Sequence, residues 1–307
     1  MGRKGPKLYG YFTLATEILD DSGAPHTLEH LVFMGSKNYR YKGLLDKLAN
    51  RAYSHTNAWT ATDHTAYQLE SAGWAGFAQI LPVYLEHILL PTLTDSACYT
   101  EVHHVDGTGH DAGVVYSEMQ GVENNSDSLM NLKASRLLYP KECGFRYETG
   151  GMTEALRVLT TQRIRDFHKN MYQPNNLCVV VVGEADHEDL LRILNEFEES
   201  ILGHFPSVRA KRPWIDSPAV PPLTKTTIYT VEFPEKDESM GEISIAWLGP
   251  HCANPVASTL LHYFNQTYTN TFPQWRLYMY SQHIWLAPPY RFWKTTLWKS
   301  ENQWLLK

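Results

Sequence analysis

The sequence predicts an α+β protein, and three observations carry that reading. Segments rich in alternating or continuous β-type residues, at Leu8–Glu17, Ala58–Ser71 and Leu177–Gly183, stand between segments of helical period. An apolar fraction of 43% and a charged fraction of 20% over 307 residues are those of a globular chain able to bury a sizeable core. No apolar run reaches the roughly 20 residues needed to cross a bilayer as a helix.

Leu8–Glu17 alternates and reads as a strand, closed by the turn Asp20-Asp21-Ser22-Gly23. Pro25 then precedes HTLEHLVFMG, a helix bounded by Pro at its start and Gly35 at its stop, with Leu28, Leu31 and Val32 as its apolar face. A second helix is predicted over Lys42–Ala52. Ala58–Ser71 gives one or two strands from its Thr, Tyr and Trp content. Trp74–Leu90 is apolar and helical in length, with Pro82 near its middle and Pro91 at its end. Residues 101–111 form a polar loop. From Ala112 the recurrence of Val114, Val115, Met119 and Val122 signals a helix, and Leu129–Leu138 another. After a turn at Thr149–Met152, Thr160–Tyr172 is amphipathic through Ile164, Phe167 and Met171. Leu177–Gly183 is a buried strand, and Asp186 opens a helix with Leu190, Leu191, Ile193, Leu194 and Phe197 inward.

Beyond this the composition shifts. Residues 206–226 are rich in proline and read as a linker between a first domain, 1–205, and a partial second domain of the same type, 227–264. The second is drawn from strands at Thr227–Phe233 and Ile243–Leu248 and a helix at Pro255–Phe264, an order that echoes Leu8–Phe33. Residues 265–307 hold five of the nine tryptophans with little periodicity, and are read as an atypical tail.

Charge and cysteine usage narrow the function. Twenty-seven basic against thirty-three acidic residues give a net charge of −6 without a basic cluster, which argues against a nucleic-acid partner. The four cysteines, at 98, 143, 178 and 252, form no Cys-x-x-Cys pair and no disulfide framework, so they are read as reduced thiols. The short basic N-terminus lacks a signal-peptide core. The cytoplasm is therefore the expected compartment, with the mitochondrion as the alternative if a targeting segment precedes Met1.

The chemistry concentrates in His26-Thr27-Leu28-Glu29-His30. On a helix, residues four apart lie one above the other, so two imidazoles can reach one zinc ion while Glu29 remains free to accept a proton from water. This is the reversed-order counterpart of His-Glu-x-x-His. A catalytic zinc needs a third protein ligand and one open position. Glu118, 88 residues beyond His30 in GVVYSEMQGVENN, is the candidate, because a helical carboxylate with apolar neighbours calls for a partner. Glu123 is five residues further on, about 140° round the helix, and so fits less well. His103, His104 and His110 are read as a solvated loop.

These segments carry a resemblance. GAPHTLEHLVFMGS, NAWTATDHTAYQLES, GVVYSEMQGV, the Gly-Gly turn and FHKNMYQPNNLCVVVVG occur in the order found in the pitrilysin–insulysin family of inverted zinc peptidases. Residues 8–205 resemble the N-terminal domain of that family, and are most similar to its presequence-protease branch. The resemblance implies a mostly antiparallel sheet with helices packed on it, the mitochondrial processing peptidase-like fold. It implies one zinc ion per chain on His26, His30 and Glu118, with Glu29 as the general base of a metalloendopeptidase. It places an extended peptide substrate along the strand at Asn57 and Ala58. The position seven residues before Glu118, where relatives have a Glu that orients a ligand histidine, is Asp111 here. Relatives enclose a chamber between two halves, so this chain corresponds to the first part of such a protein, with a missing half or a partner chain supplying the other wall. The alternative on the same fold is a zinc-binding but inactive structural or partner subunit.

Overall fold

The computed structural model describes residues 5–205, 212–218, 220–233, 242–248, 256, 259–260, 278–279 and 292–298. The chain forms two compact units, the first from Met1–Gln120 with Glu148–Pro213 and the second from Gly121–Tyr147 with Trp214–Lys307. The segment Gly121–Tyr147, expected within the first domain, thus groups with the second unit.

The first unit is built on a four-stranded sheet in the order β2-β3-β1-β6, every neighbouring pair antiparallel. Strand β1 is Leu8–Ala15, β2 is Ser54–Thr60, β3 is His64–Ser71 and β6 is Leu177–Val182. The predicted Ala58–Ser71 segment is therefore a hairpin of two strands, starting four residues earlier than expected. Alternation sets the faces. In β1, Leu8, Gly10, Phe12 and Leu14 point inward, and Gly10 is required because a Cβ there would lie 2.7 Å from the Phe77 ring. In β6 the alternate residues Cys178, Val180 and Val182 are exposed, so the strand has one covered face rather than the two that its continuous apolar run suggested.

Helices cover the inner face. Helix α1 is Ala24–Val32, α2 Leu44–Arg51, α3 Trp74–Leu89, α4 Asp95–Glu101, α5 Val114–Glu123, α7 Thr153–Leu156, α8 Thr161–Met171 and α9 His187–Ile201. A two-residue hairpin, β4 His104–Val105 with β5 Asp111–Ala112, lies inside the predicted polar loop. Pro82 stays inside α3 on a half-exposed face, where water can take the Ala78 carbonyl that the missing N–H releases. Phe12, Leu28, Tyr67, Phe77 and Tyr84 are fully buried in one core. The Tyr67 and Tyr172 hydroxyls meet at 2.8 Å, and Tyr84 donates to the Gln68 carbonyl at 2.9 Å, so these three tyrosine hydroxyls are paired.

The second unit contains α6, Ser126–Leu138, and a small core of Leu138, Tyr139, Cys143, Phe145, Trp214 and Val220. Its sheet, in the order β7-β9-β8, joins β7 Glu242–Leu248, β8 Tyr278–Met279 and β9 Phe292–Trp298. Two segments of the Trp-rich tail are therefore strands, and β9 pairs with β7 over seven positions from Glu242↔Trp298 to Leu248↔Phe292. Thr227–Phe233, expected as a strand, is irregular; the helix expected at Pro255–Phe264 falls mostly outside the described residues, as does Cys252. Among the described residues no helix is long and apolar enough to cross a membrane, and Cys98 and Cys178 are free thiols.

Candidate metal centre

Helix α1 starts at a sharp backbone turn. Gly23 has φ 72°, and Cβ atoms built at Gly23 and Gly151 would each lie within 2.8 Å of the other turn's backbone. Only glycines allow this contact. It presses the Gly150-Gly151 turn against the N-terminus of α1, where the Gly150 carbonyl lies 3.4 Å from His26 Nδ1. Pro25 sits in the first turn, where its missing N–H costs nothing.

One helical turn apart, the His26 and His30 rings stand edge to face with centroids 4.9 Å apart. Both present Nε2 to Glu118 on α5. His26 Nε2 is 3.7 Å from Glu118 Oε1, and His30 Nε2 is 3.6 Å from Oε2. Ligand atoms of the three residues all lie within 4.8 Å of one another. Tetrahedral zinc with bonds of about 2.1 Å separates its ligand atoms by about 3.4 Å, so the cluster fits such an ion with small side-chain movement. The imidazole–imidazole–carboxylate donor set is likewise one that zinc accepts. Glu118 has a half-exposed side chain, 50%, against 12% for His26 and 22% for His30. Apolar neighbours therefore do not force a partner on Glu118, as its sequence setting suggested; its placement opposite two imidazoles singles it out. Glu123 is outside the cluster.

Glu29 is buried beside this group, 9% exposed, and accepts a hydrogen bond from Thr60 Oγ1 at 2.5 Å. Burial raises its pKa above the ordinary carboxylate value; the Thr60 hydrogen bond and nearby His26 oppose that rise, and Glu118 adds to it. Burial also lowers the His30 pKa, with His26 acting in the same direction and Glu118 and Glu101 against it. The neutral imidazole this favours is the form that binds a metal.

A pocket of about 320 Å³ adjoins the cluster, lined among others by Glu29, His30, Phe33, Met34, Asn57, Ala58 and Glu101. Asn57 and Ala58 reach it from β2, an edge strand that pairs only with β3 among the described residues. Asp111 lies elsewhere. Its carboxylate meets His103 Nε2 at 2.7 Å, Arg157 at 2.8 Å and Tyr116 at 3.2 Å, and Arg157 and His103 hold it well below the usual carboxylate range. On the Nδ1 side of His30 the carboxylate is Glu101, whose Oε2 is 3.9 Å away. Neither Glu101 nor Thr60 was picked out by sequence reasoning. The Thr94-Asp95 start signal of α4, with the Thr94 side chain accepting from Ala97 N at 3.2 Å, would have pointed to the helix that carries Glu101.

An α+β unit with an inverted His-x-x-Glu-His helix facing a third carboxylate defines the class. Family models agree: that described as Insulinase (Peptidase family M16) matches residues 16–126, and Peptidase M16 inactive domain matches residues 159–276. The chain belongs to peptidase family M16. It is 50% identical over 251 residues to an uncharacterized protein of Saccharomyces cerevisiae, covering 80% of this chain and 24% of that protein. It is 29% identical to presequence protease 1, chloroplastic/mitochondrial, of Arabidopsis thaliana over 58% of this chain and 17% of the relative. The chain thus spans about a quarter or less of the length of these curated relatives. Among solved structures it resembles a protease from Helicobacter pylori with a TM-score of 0.68 at 18% identity, covering 97% of this chain and 71% of the other, which speaks for the fold.

Proposed function

We propose that this chain carries the zinc-binding and proton-transfer residues of a metalloendopeptidase. The observation that carries the reading is the convergence of His26 Nε2, His30 Nε2 and the Glu118 carboxylate beside a buried Glu29. His26, His30 and Glu118 would hold one Zn²⁺ per chain. When bound, the ion supplies Lewis acidity, bringing the pKa of a water toward about 7 and polarising a peptide carbonyl. Glu29 takes the proton of the attacking water and delivers it to the leaving nitrogen, and a raised pKa suits a group that must both accept and return a proton. The Thr60 hydroxyl fixes one Glu29 oxygen, which leaves the other to face the reacting water.

An extended peptide lies along the open edge of β2 at Asn57 and Ala58, making main-chain hydrogen bonds that read shape more than sequence. The likeness to a presequence protease named as chloroplastic/mitochondrial supports peptides as substrates and supports the mitochondrial alternative over the cytoplasm. In the whole protein the wall opposite the cluster comes from a further half or a partner chain.

The test compares wild type with Glu29→Gln. Wild type is expected to hold one zinc and to cleave an unstructured peptide in a chelator-sensitive way. Glu29→Gln should keep the zinc and lose about 10²–10⁴-fold in kcat. Equal inertness of the two, with zinc bound in both, would favour a structural or partner subunit instead. Full zinc occupancy in both His26→Ala and Glu118→Gln would sink the ligand assignment.

A further inference from the structure

We infer that Asp46 makes the pocket beside the cluster a subsite for a cationic side chain, so that the chain selects peptides with Lys or Arg next to the scissile bond. The assignment rests on the peptidase reading above and narrows its substrates. The pocket of about 320 Å³ is walled by Phe33 and Met34 just beyond α1, Asp46 on α2, Glu101 on α4 and Thr56 and Ala58 on β2. Two carboxylates besides Glu29 line it, and among the described residues no Lys or Arg does. The two are not equally available. Glu101 is buried and already engaged, with Lys42 Nζ 3.0 Å from Oε1 and His30 Nδ1 3.9 Å from Oε2. Asp46 is exposed and makes no hydrogen bond or ion pair among the described residues. It stands in the first turn of α2, where the helix dipole favours a negative charge without a cation beside it. Its charge is therefore left for a ligand.

The strand register brings a substrate side chain to this charge. In β2, Thr56, Ala58 and Thr60 form the half-buried, inward row, and His55, Asn57 and Trp59 face out. Thr60 meets Glu29, while Ala58 and Thr56 line the pocket, one and two steps of about 6.8 Å further along the row. A peptide added to the β2 edge presents alternate side chains to that same inward face. With its reacting carbonyl at Glu29, the side chain nearest the bond on the Ala58 side enters the pocket. Phe33, Met34 and Ala58 cover the methylenes of a long side chain, and its charged head reaches the exposed rim where Asp46 lies. An apolar side chain gains the same wall without the charge pairing. A Glu or Asp meets like charge from Asp46 and Glu101.

Cleavage of a degenerate mixture of unstructured peptides by the zinc-loaded full chain, with the products sequenced by mass spectrometry, tests this. Wild type is expected to enrich Lys and Arg over Gln at one position flanking the cut. Asp46→Asn should lower that preference, as a ratio of kcat/KM values, by roughly threefold to tenfold. Asp46→Lys should invert it toward Glu and Asp, which a merely structural role for Asp46 would not do. Absence of the Lys and Arg enrichment in wild type, or a wild-type profile in both variants, overturns the proposal. A wild type that binds zinc yet cuts nothing tells against the peptidase reading and not against the pocket. Fluorescence anisotropy then decides, with labelled peptides that differ only as Lys against Gln. Tighter binding of the Lys peptide, lost in Asp46→Asn, is expected, and equal affinity for the two peptides overturns the assignment.

Discussion

Glu29 carries a cost that its neighbours only partly offset. Burial favours its protonated form, so its folded pKa lies above the ordinary value of 4.5, while the unfolded chain ionises normally. As pH rises past 4.5, the unfolded state loses its proton first and the folded state holds it longer. Stability of the metal-free chain therefore falls across the window from 4.5 up to the raised folded value, and stays lower above it. Glu29→Gln has no proton to lose and keeps an acceptor for Thr60. Its melting temperature without metal is expected to exceed that of wild type at pH 8 and to converge with it near pH 4. Thermal melts at the two pH values check this, and a variant less stable than wild type at pH 8 contradicts it. At this scale His26, Glu29 and His30 were legible because a five-residue pattern on a helix dictates its own geometry. Glu118 was legible by position, although burial was the wrong reason for it, and Glu101 was not. Its partner His30 is 71 residues away in sequence, so only tertiary packing brings them together.

The elements that matter most are short ones. Helix α1 is aimed by the contact between Gly23 and the Gly150-Gly151 turn, where a side chain has no room. Gly151→Ala combines φ 93° with a Cβ 2.7 Å from the Gly23 backbone. It is expected to cost about 2 kcal/mol, and to weaken zinc binding, because the Gly150 carbonyl beside His26 must move. Denaturant unfolding with zinc titration tests both effects, and a variant with wild-type affinity would show that the turn does not aim the ligand. Long periodic elements such as α3, α8 and α9 and the strands β1 and β6 were legible from sequence, since apolar spacing sets them locally. The seven-residue α4 and the four-residue α7 were not, being too short to display a period. In the second unit, β9 finds its partner β7 at a separation of some fifty residues, and Thr227–Phe233 has β-type residues but no such pairing. Strand formation depends on a neighbour that no local pattern reveals.

At the scale of the whole molecule, all three proposed ligands belong to the first unit, so metal is expected to stabilise that unit. Zinc at 100 times its Kd should add about 2.7 kcal/mol, or roughly 5–10 °C in melting temperature for a domain of this size. Calorimetry with and without chelator measures the shift, and His26→Ala should show none. The fold class and the family were legible in the sequence, because the motifs occur in order over the first two thirds of the chain. The division into two units was not, since Gly121–Tyr147 follows α5 in sequence but packs with residues beyond Trp214. The contact between His26 and Gly150 spans 124 residues and completes the setting of the proposed ligand His26. Chain closure over that distance is a slow event in refolding compared with forming a helix. His-x-x-Glu-His can be helical early, yet its grip on the ion waits for the two ends of the unit to meet. Zinc uptake is then a clock: its onset marks when the chain has closed on itself.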